Sequence, residues 1–277
     1  MALFNQITII GVGLIGGSLA KAIRTNRVAK KIVGFFRNEQ KRKWALRTRL
    51  VDEGYLSLEE SIENSDLIIL ALPVKHIIQD LSKLHKVVPA NTMIIDIGST
   101  KASIVATADK QRLNFLGTHP LAGSEKRGAE HSTETLFDNS LVILTPTKNT
   151  LPNTLKKINA FWKQLHAKIV TLTPQQHDAI LSRTSHLPHI IAFSLINAIP
   201  KECLVYSASG LKDTTRVALS DPALWSDIFI TNKKEILAGI ASFEQELKKI
   251  KNALGKENSA LLMRILEAAQ QKRTTIK

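Results

Sequence analysis

ITIIGVGLIGGSLAKAI (7–23) decides the fold. ITII is a short apolar, β-rich run that reads as a buried strand. Glycines follow at 11, 13 and 16, and LIGGSLAKAI continues with a helical pattern. A G-x-G-x-x-G run between a strand and a helix opens a βαβ unit. Gly11 permits the tight turn, Gly13 lets a pyrophosphate approach the backbone, and Gly16 lets the helix pack on the sheet. The first N–H groups of the helix then face the phosphates. The motif alone is generic, and its bland reading is a tight β–α turn with no ligand; its placement favours a dinucleotide. Leu14 and Ile15, at the helix start, are assigned to the cofactor side with these glycines.

Working outward, apolar runs alternate with helical patterns. KIVGFF (31–36), DLIILALP (66–73), TMIIDIG (92–98), LNFLGTHP (113–120), LVILTP (141–146) and KIVTLTP (168–174) read as further strands, seven in all with ITII. Strands separated by helices imply parallel pairing through crossovers, hence an α/β Rossmann-type, doubly wound parallel sheet. Leu72 and Pro73, closing the third strand, are placed beside the cofactor. After Pro174 the alternation stops. HDAILSRTSHLPHIIAFSLINAI (177–199), with a kink expected at Pro188, EILAGIASFEQELKKIKNAL (235–254) and NSALLMRILEAAQQKR (258–273) carry helical periodicity. The expected division is a dinucleotide-binding domain over 1–173 and an all-helical substrate and dimerisation domain over 174–277.

Composition bounds the function. With 277 residues, 44% apolar and 22% charged, the chain is long enough for a sizeable core and has a globular balance. No apolar run of about 18 residues is present, so no membrane span is expected. MALFNQITII lacks the basic start and cleavage site of a signal peptide. Cys203 is the only cysteine, which fits a reducing cytoplasm. The net charge of +14 admits a solvated basic surface, a field that draws in anionic ligands, or nucleic-acid binding. Lys and Arg are spread from Lys21 to Lys277 and aromatics are only 5%, which argues against nucleic acid.

The end of the second strand reads the cofactor's ribose. An NAD site usually has Asp or Glu there. This chain has Phe35-Phe36-Arg37, with Lys41 and Arg42 close behind. Arg37 offers a planar fork to a 2′-phosphate, so NADP is favoured and NAD remains possible. The alternative leaves Arg37 on the surface and gives the ribose to Glu39.

Two further stretches carry chemistry. FLGTHPLAGSEK (115–126) holds His119 in a turn framed by glycines and a proline. SHLPHIIAF (185–193) places His186 and His189 at i, i+3 on one helical face. Three readings of that pair stand: a zinc site, for which no third ligand is evident; core histidines with backbone partners; or a polar active site between the domains. No metal is expected.

GVGLIGGSLAKAI, DIGSTKASI, GTHPLAGSEKRG, SHLPHIIA and DTTRVALSDPALW together resemble the TyrA family, the prephenate and arogenate dehydrogenases, over nearly the whole chain. The resemblance implies oxidation of a cyclohexadienol at its ring hydroxyl, hydride transfer to NAD(P)⁺ and loss of the ring carboxylate as CO2. Prephenate would give 4-hydroxyphenylpyruvate, and arogenate would give tyrosine. It makes His119 the catalytic base and Ser99 the serine that bonds it beside the nicotinamide. Arg216 becomes the partner of a substrate carboxylate. His189 enters the substrate pocket; His186 matches a position without a fixed role. Glu125 and Asp213 would organise Arg216 and gate entry. Trp225 would pack at the pocket, with plain core as its alternative, and Thr215 and Ser124 would be polar liners. A homodimer through the helical domain is expected, with no nucleic-acid or membrane partner. Neutral Ser124, with Lys126 and Arg127 beside it, favours prephenate over arogenate. The chain ends at Lys277 soon after its helices, so control by a further C-terminal domain is not expected.

Overall fold

The computed structural model describes residues 2–123, 126 and 128–276. Eight strands form one sheet: β1 (Phe4–Ile10), β2 (Ala29–Phe35), β3 (Glu53–Tyr55), β4 (Leu67–Leu70), β5 (Met93–Asp96), β6 (Phe115–Pro120), β7 (Leu141–Thr145) and β8 (Lys168–Thr171). Their spatial order is β3-β2-β1-β4-β5-β6-β7-β8. The chain winds one way from β1 through β3, then crosses over to β4. The crevice at the carboxyl ends of β1 and β4 is therefore a topological switch point, where ligands of such sheets bind. The glycine loop leaves β1 at that place.

Both faces of the sheet are covered, as a largely parallel sheet requires. Ile7, Ile9, Ile69, Ile95, Leu116 and Leu144 face a core with Phe4, Phe137, Phe161 and Trp162. Ile10, Ile68, Leu70, Ile94 and Phe115 face the other, against Ile77, Leu81, Ile104 and Val105. Alternation along each strand assigns the faces.

Two features depart from the expectation of seven parallel strands. β3 is an eighth strand, an edge of three half-buried residues, EGY, which pairs only with β2. β7 runs antiparallel to β6, with His119 opposite Ile143. Between them lies no crossover helix, only the short 3-10 turn Ala129–His131 among the described residues. A parallel return needs a crossover that this segment does not supply.

After Thr171 every described element is helical. The segment that opens this region is one helix with an insertion. Pro174–Leu181 passes through a π-turn, Ser182–His186, into Leu187–Ala198. The Leu187 N–H donates to the Ser182 carbonyl five residues back. The bend expected at Pro188 is thus a local widening just ahead of a residue that cannot donate. The last two helices, Lys233–Gly255 and Ser259–Thr274, leave Leu237, Leu247, Leu254, Met263 and Leu266 exposed.

Candidate active site

The glycine loop is shaped for close approach. Gly11 has φ +99°, and a Cβ there would lie 2.3 Å from the Ala71 carbonyl oxygen. A Cβ at Gly16 would lie 2.2 Å from the Gly11 oxygen. At Gly13 a Cβ would meet nothing within 4 Å, so the open side of the loop is free for a ligand. Gly11, Gly13, Phe36, Arg37, Lys41 and Leu72 line a cleft of about 280 Å³. It continues past Gly13 into a larger groove of about 590 Å³ that includes Lys41, Trp44 and Arg47. These features fit a dinucleotide: backbone access for the pyrophosphate, and cations at the ribose end. Leu14 and Ile15 fall in the first turn of helix Leu14–Thr25, and Pro73 precedes helix Val74–Leu84. The Arg37 guanidinium lies 3.6 Å from the carboxylate of Asp80 and stays more than half exposed. Glu39 is engaged on its own helix, accepting from Arg42 at 2.6 and 2.8 Å.

His119 is the penultimate residue of β6, and it lines a second cavity of about 780 Å³ between the sheet and the helices. Its Nδ1 lies 2.8 Å from Nε2 of His177. The Nδ1 of His177 lies 2.8 Å from Oδ1 of Asp178. That carboxylate also accepts the Lys101 N–H at 2.8 Å and the Ala102 N–H at 2.9 Å. Helix Ala102–Lys110 has no side-chain cap of its own, so Asp178 caps it from the helical region, where helices favour negative charge.

Beneath this chain Lys101 is fully buried and paired with Asp96. Asp96 also accepts the N–H groups of Gly98 at 2.8 Å and Thr118 at 3.3 Å. Burial raises Asp96 and lowers Lys101, and the pairing opposes both. The pair is neutral overall whichever partner holds the proton. Burial holds the His119 imidazole well below histidine's usual range, and the charges of His177, Lys101 and His186 add to the effect. His177 is also lowered by burial, against the opposing bond to Asp178.

The opposite wall comes from the helices. The His189 ring stacks on Trp225, with centroids 3.5 Å apart at 23°. Its Nδ1 lies 2.9 Å from the Ser185 carbonyl, so Nδ1 carries the proton. Burial lowers His189 below its usual value, and Arg216 adds to this. His186 Nδ1 lies 3.1 Å from the Asn232 amide nitrogen, which also donates to the Asp178 carbonyl at 2.8 Å. Burial pushes His186 down to about 4. The π-turn helps bring both histidines to this wall. Ser99, Arg216, Lys126 and Asp221 add to the polar lining, with the hydroxyl residues Thr184, Ser185 and Ser220. The arrangement sets a neutral, anchored imidazole facing a cationic wall, which suits proton removal from an anionic substrate.

Comparison with known proteins agrees with this geometry. Residues 19–171 match the model of the prephenate dehydrogenase nucleotide-binding domain, and residues 173–268 match that of the prephenate dehydrogenase dimerisation domain. The chain belongs to the prephenate dehydrogenase family. It is 34% identical to a prephenate dehydrogenase of Bacillus subtilis, over 97% of this chain and 75% of that one. It is 30% identical to a cyclohexadienyl dehydrogenase of Zymomonas mobilis, over 100% and 98%. Its fold matches a prephenate dehydrogenase from A. aeolicus in complex with hydroxyphenyl propionate and NAD⁺. That match has a TM-score of 0.93 and 33% identity, and covers 99% of this chain and 98% of that one.

Against what membership in the prephenate dehydrogenase family implied, most of the expected residues meet at one cavity: Ser99, His119, His186, His189, Arg216 and Trp225. Trp225 is pocket wall, being half-buried and stacked on His189. Three expectations need correction. Ser99 lines the cavity but makes no hydrogen bond to His119 among the described residues; the ring's partner is His177. Asp213 is exposed and absent from the cavity that Arg216 lines, and among the described residues no ion pair joins the two. Thr215 is buried and spends its hydroxyl on the Leu211 carbonyl at 2.6 Å, because its side chain turns into its own helix. Ser124 and Glu125 lie outside the described residues. Among the described residues no group of three or more His, Cys, Asp or Glu side chains is arranged to hold a metal ion. No described helix is long and apolar enough to cross a membrane.

Sequence reasoning passed over His177, Asp178, Lys101 and Asp96. Their signals lie in the sequence: HD opens the same helical segment as SHLPH, and DIGSTK carries both members of the buried pair.

Proposed function

We propose that this chain oxidises and decarboxylates prephenate to 4-hydroxyphenylpyruvate, with His119 as the base. One observation carries the reading. His119 is a half-buried imidazole whose Nδ1 is bonded within the protein, on a cavity wall facing Arg216 and His189. The glycine loop, Arg37 and Lys41 hold the dinucleotide, which when bound accepts the hydride from the ring carbon. His119 Nε2 receives the ring hydroxyl's proton as that hydrogen departs with its electron pair. The ring carboxylate leaves as CO2, the ring becomes aromatic, and His119 returns the proton to the phenolate oxygen. No net proton is released. Arg216 pairs with a substrate carboxylate, where a guanidinium fork suits an anion. Ser99 stands beside the reacting centre. Residues 1–173 serve the dinucleotide, while 174–277 supply the substrate wall and the contact between two copies.

Prephenate is preferred because the polar wall is cationic. Asp221 is the only carboxylate among the described lining residues, and it caps helix Pro222–Thr231 by accepting from Ala223 at 2.8 Å. Arogenate is the second reading, favoured by the fold match to a Synechocystis arogenate dehydrogenase with a TM-score of 0.86 and 28% identity. NADP is the favoured cofactor: Arg37 lines the cleft, and Glu39 is occupied by Arg42. A two-by-two assay of prephenate and arogenate with NAD⁺ and NADP⁺ tests both choices. The reading expects the highest kcat/KM for prephenate with NADP⁺. A tenfold preference for arogenate, or for NAD⁺, would overturn the corresponding half.

A further inference from the structure

The histidine base does not stand alone. Asp178 is acceptor-only when ionised, and it faces Nδ1 of His177 at 2.8 Å. That nitrogen must therefore carry the proton. Nε2 of His177 is then a bare acceptor, and it faces Nδ1 of His119 at 2.8 Å. Nδ1 of His119 must in turn carry a proton, which leaves its Nε2 bare. One carboxylate thus sets the tautomers of two rings in sequence. The Asp178 carboxylate is itself immobilised by the N–H groups of Lys101 and Ala102. These two contacts cross from the helical region to the sheet region, so docking of the two halves and alignment of the base are one event.

We propose that His177 and Asp178 form a positioning relay that holds His119 in the tautomer able to accept the substrate proton and shares the positive charge that develops on it. The charge balance supports this. The Asp96–Lys101 pair is neutral overall. Asp178 is therefore the negative group in direct contact with a protonated His119–His177 couple. The other charged or titratable groups nearby are His186 from the π-turn, and His189, Arg216, Lys126 and Asp221 on the cavity wall, Asp221 at the cap of helix Pro222–Thr231. When His119 Nε2 takes the hydroxyl proton, its Nδ1 proton is drawn toward His177 Nε2. The Asp178 bond to His177 shortens the reach of that charge without a net transfer to the carboxylate. The proton on Nε2 returns to the phenolate oxygen, and the relay resets.

The inference rests on His119 being the base, so the first test is independent of turnover. Wild-type enzyme labelled with ¹⁵N-histidine, with signals assigned by His119→Asn and His177→Gln, reports each ring's tautomer by NMR. The relay expects Nδ1–H for both His119 and His177. An Nε2–H form of either ring would overturn it. The second test is kinetic. Asp178→Asn can keep one acceptor oxygen, for the Lys101 N–H and His177 Nδ1, but it loses the acceptor for the Ala102 N–H and removes the charge. A protonated couple without its counter-charge loses its proton more readily. The acid limb of kcat therefore moves to lower pH, by about one unit, while the plateau falls roughly tenfold to a hundredfold. A merely structural role would lower the plateau and leave the limb in place, and that result overturns the relay. His177→Gln puts an acceptor oxygen where Nε2 stood, whereas His177→Leu removes it. The glutamine variant should retain about tenfold more kcat than the leucine, at similar dinucleotide affinity. Equal kcat in the two would also overturn it. If Asp178→Asn does not fold, the tautomers and the Gln–Leu pair decide. Turnover surviving His119→Asn removes the base assignment itself; wrong tautomers with an inactive His119→Asn remove the relay only.

Discussion

His119 and His189 look into the same cavity, yet they are held by opposite kinds of partner. Nδ1 of His119 meets a second ring, and through it a carboxylate. Nδ1 of His189 meets the Ser185 carbonyl, and its ring lies flat on Trp225. A carbonyl fixes a tautomer but supplies no counter-charge, and a stacked indole fixes an orientation. Both rings are therefore aligned, but only the first is equipped to carry a positive charge for the length of a reaction. The difference teaches that a histidine's role is written in what lies behind it as much as in the cavity it faces.

The largest test of that contrast is His119→Asn. The amide keeps a hydrogen bond but is no base. We expect kcat to fall by roughly 10²–10⁴, with substrate binding largely kept. Near-normal steady-state turnover would place His119 in the same class as His189 and dissolve the distinction. Next in size is Arg216→Ala. It removes the exposed cation on the His189 side of the cavity. A substrate carboxylate left without its partner should cost about 2–4 kcal/mol, expressed in KM more than in kcat. An unchanged KM would show that the cationic wall is not the substrate's anchor.

The sheet and the glycine loop were legible because their signals are local. Runs such as LIIL and MIID are buried whole and flanked by helical patterns. Strand direction is not local: LVILT reads the same whether β7 lies parallel or antiparallel to β6. EGY was invisible because three residues around a glycine make no periodicity. The cavity wall was legible through SHLPH and DTTR, but the relay behind it was not. His177 lies 58 residues from His119, and their meeting depends on how the helices dock. Buried Lys101 looks in sequence like any charge at a helix start. Thr215 misled for the converse reason, since its neighbour Arg216 lines the cavity while its own side chain turns inward.

A third measurement sharpens the comparison through pH. His186 shares the helical wall with His189 and is pushed down to about 4 by burial. Its folded value lies below its unfolded one, so it contributes stability that is complete above about 6.5. That stability is lost as pH falls through 4. The loss across this window is about 3 kcal/mol for His186; His119 and His177 shift in the same direction. Urea midpoints at pH 7.5, 5.5 and 4.5 should fall steadily. In His186→Asn, whose amide oxygen can still accept from Asn232, the slope should be shallower. An identical slope would mean that His186 does not titrate with unfolding.

The smallest effect is expected at His189 itself. His189→Asn keeps a donor for the Ser185 carbonyl, because the amide nitrogen takes the place of Nδ1. It loses the ring that stacks on Trp225 at 3.5 Å and the outer nitrogen on the cavity side. A hydrogen bond from substrate to that outer nitrogen is worth about 0.5–1.5 kcal/mol, so KM should rise about threefold to tenfold. Among the described residues no carboxylate is bonded to this ring to draw charge onto it, so kcat should stay within a few-fold of wild type. The acid limb of kcat should not move, because the titrating couple lies across the cavity at His119 and His177. The decisive readout is the paired pH profile of His119→Asn and His189→Asn at saturating substrate. A kcat loss in His189→Asn that matches His119→Asn, or a displaced acid limb, would show that the two rings share the proton work and that the partner behind each does not decide its role.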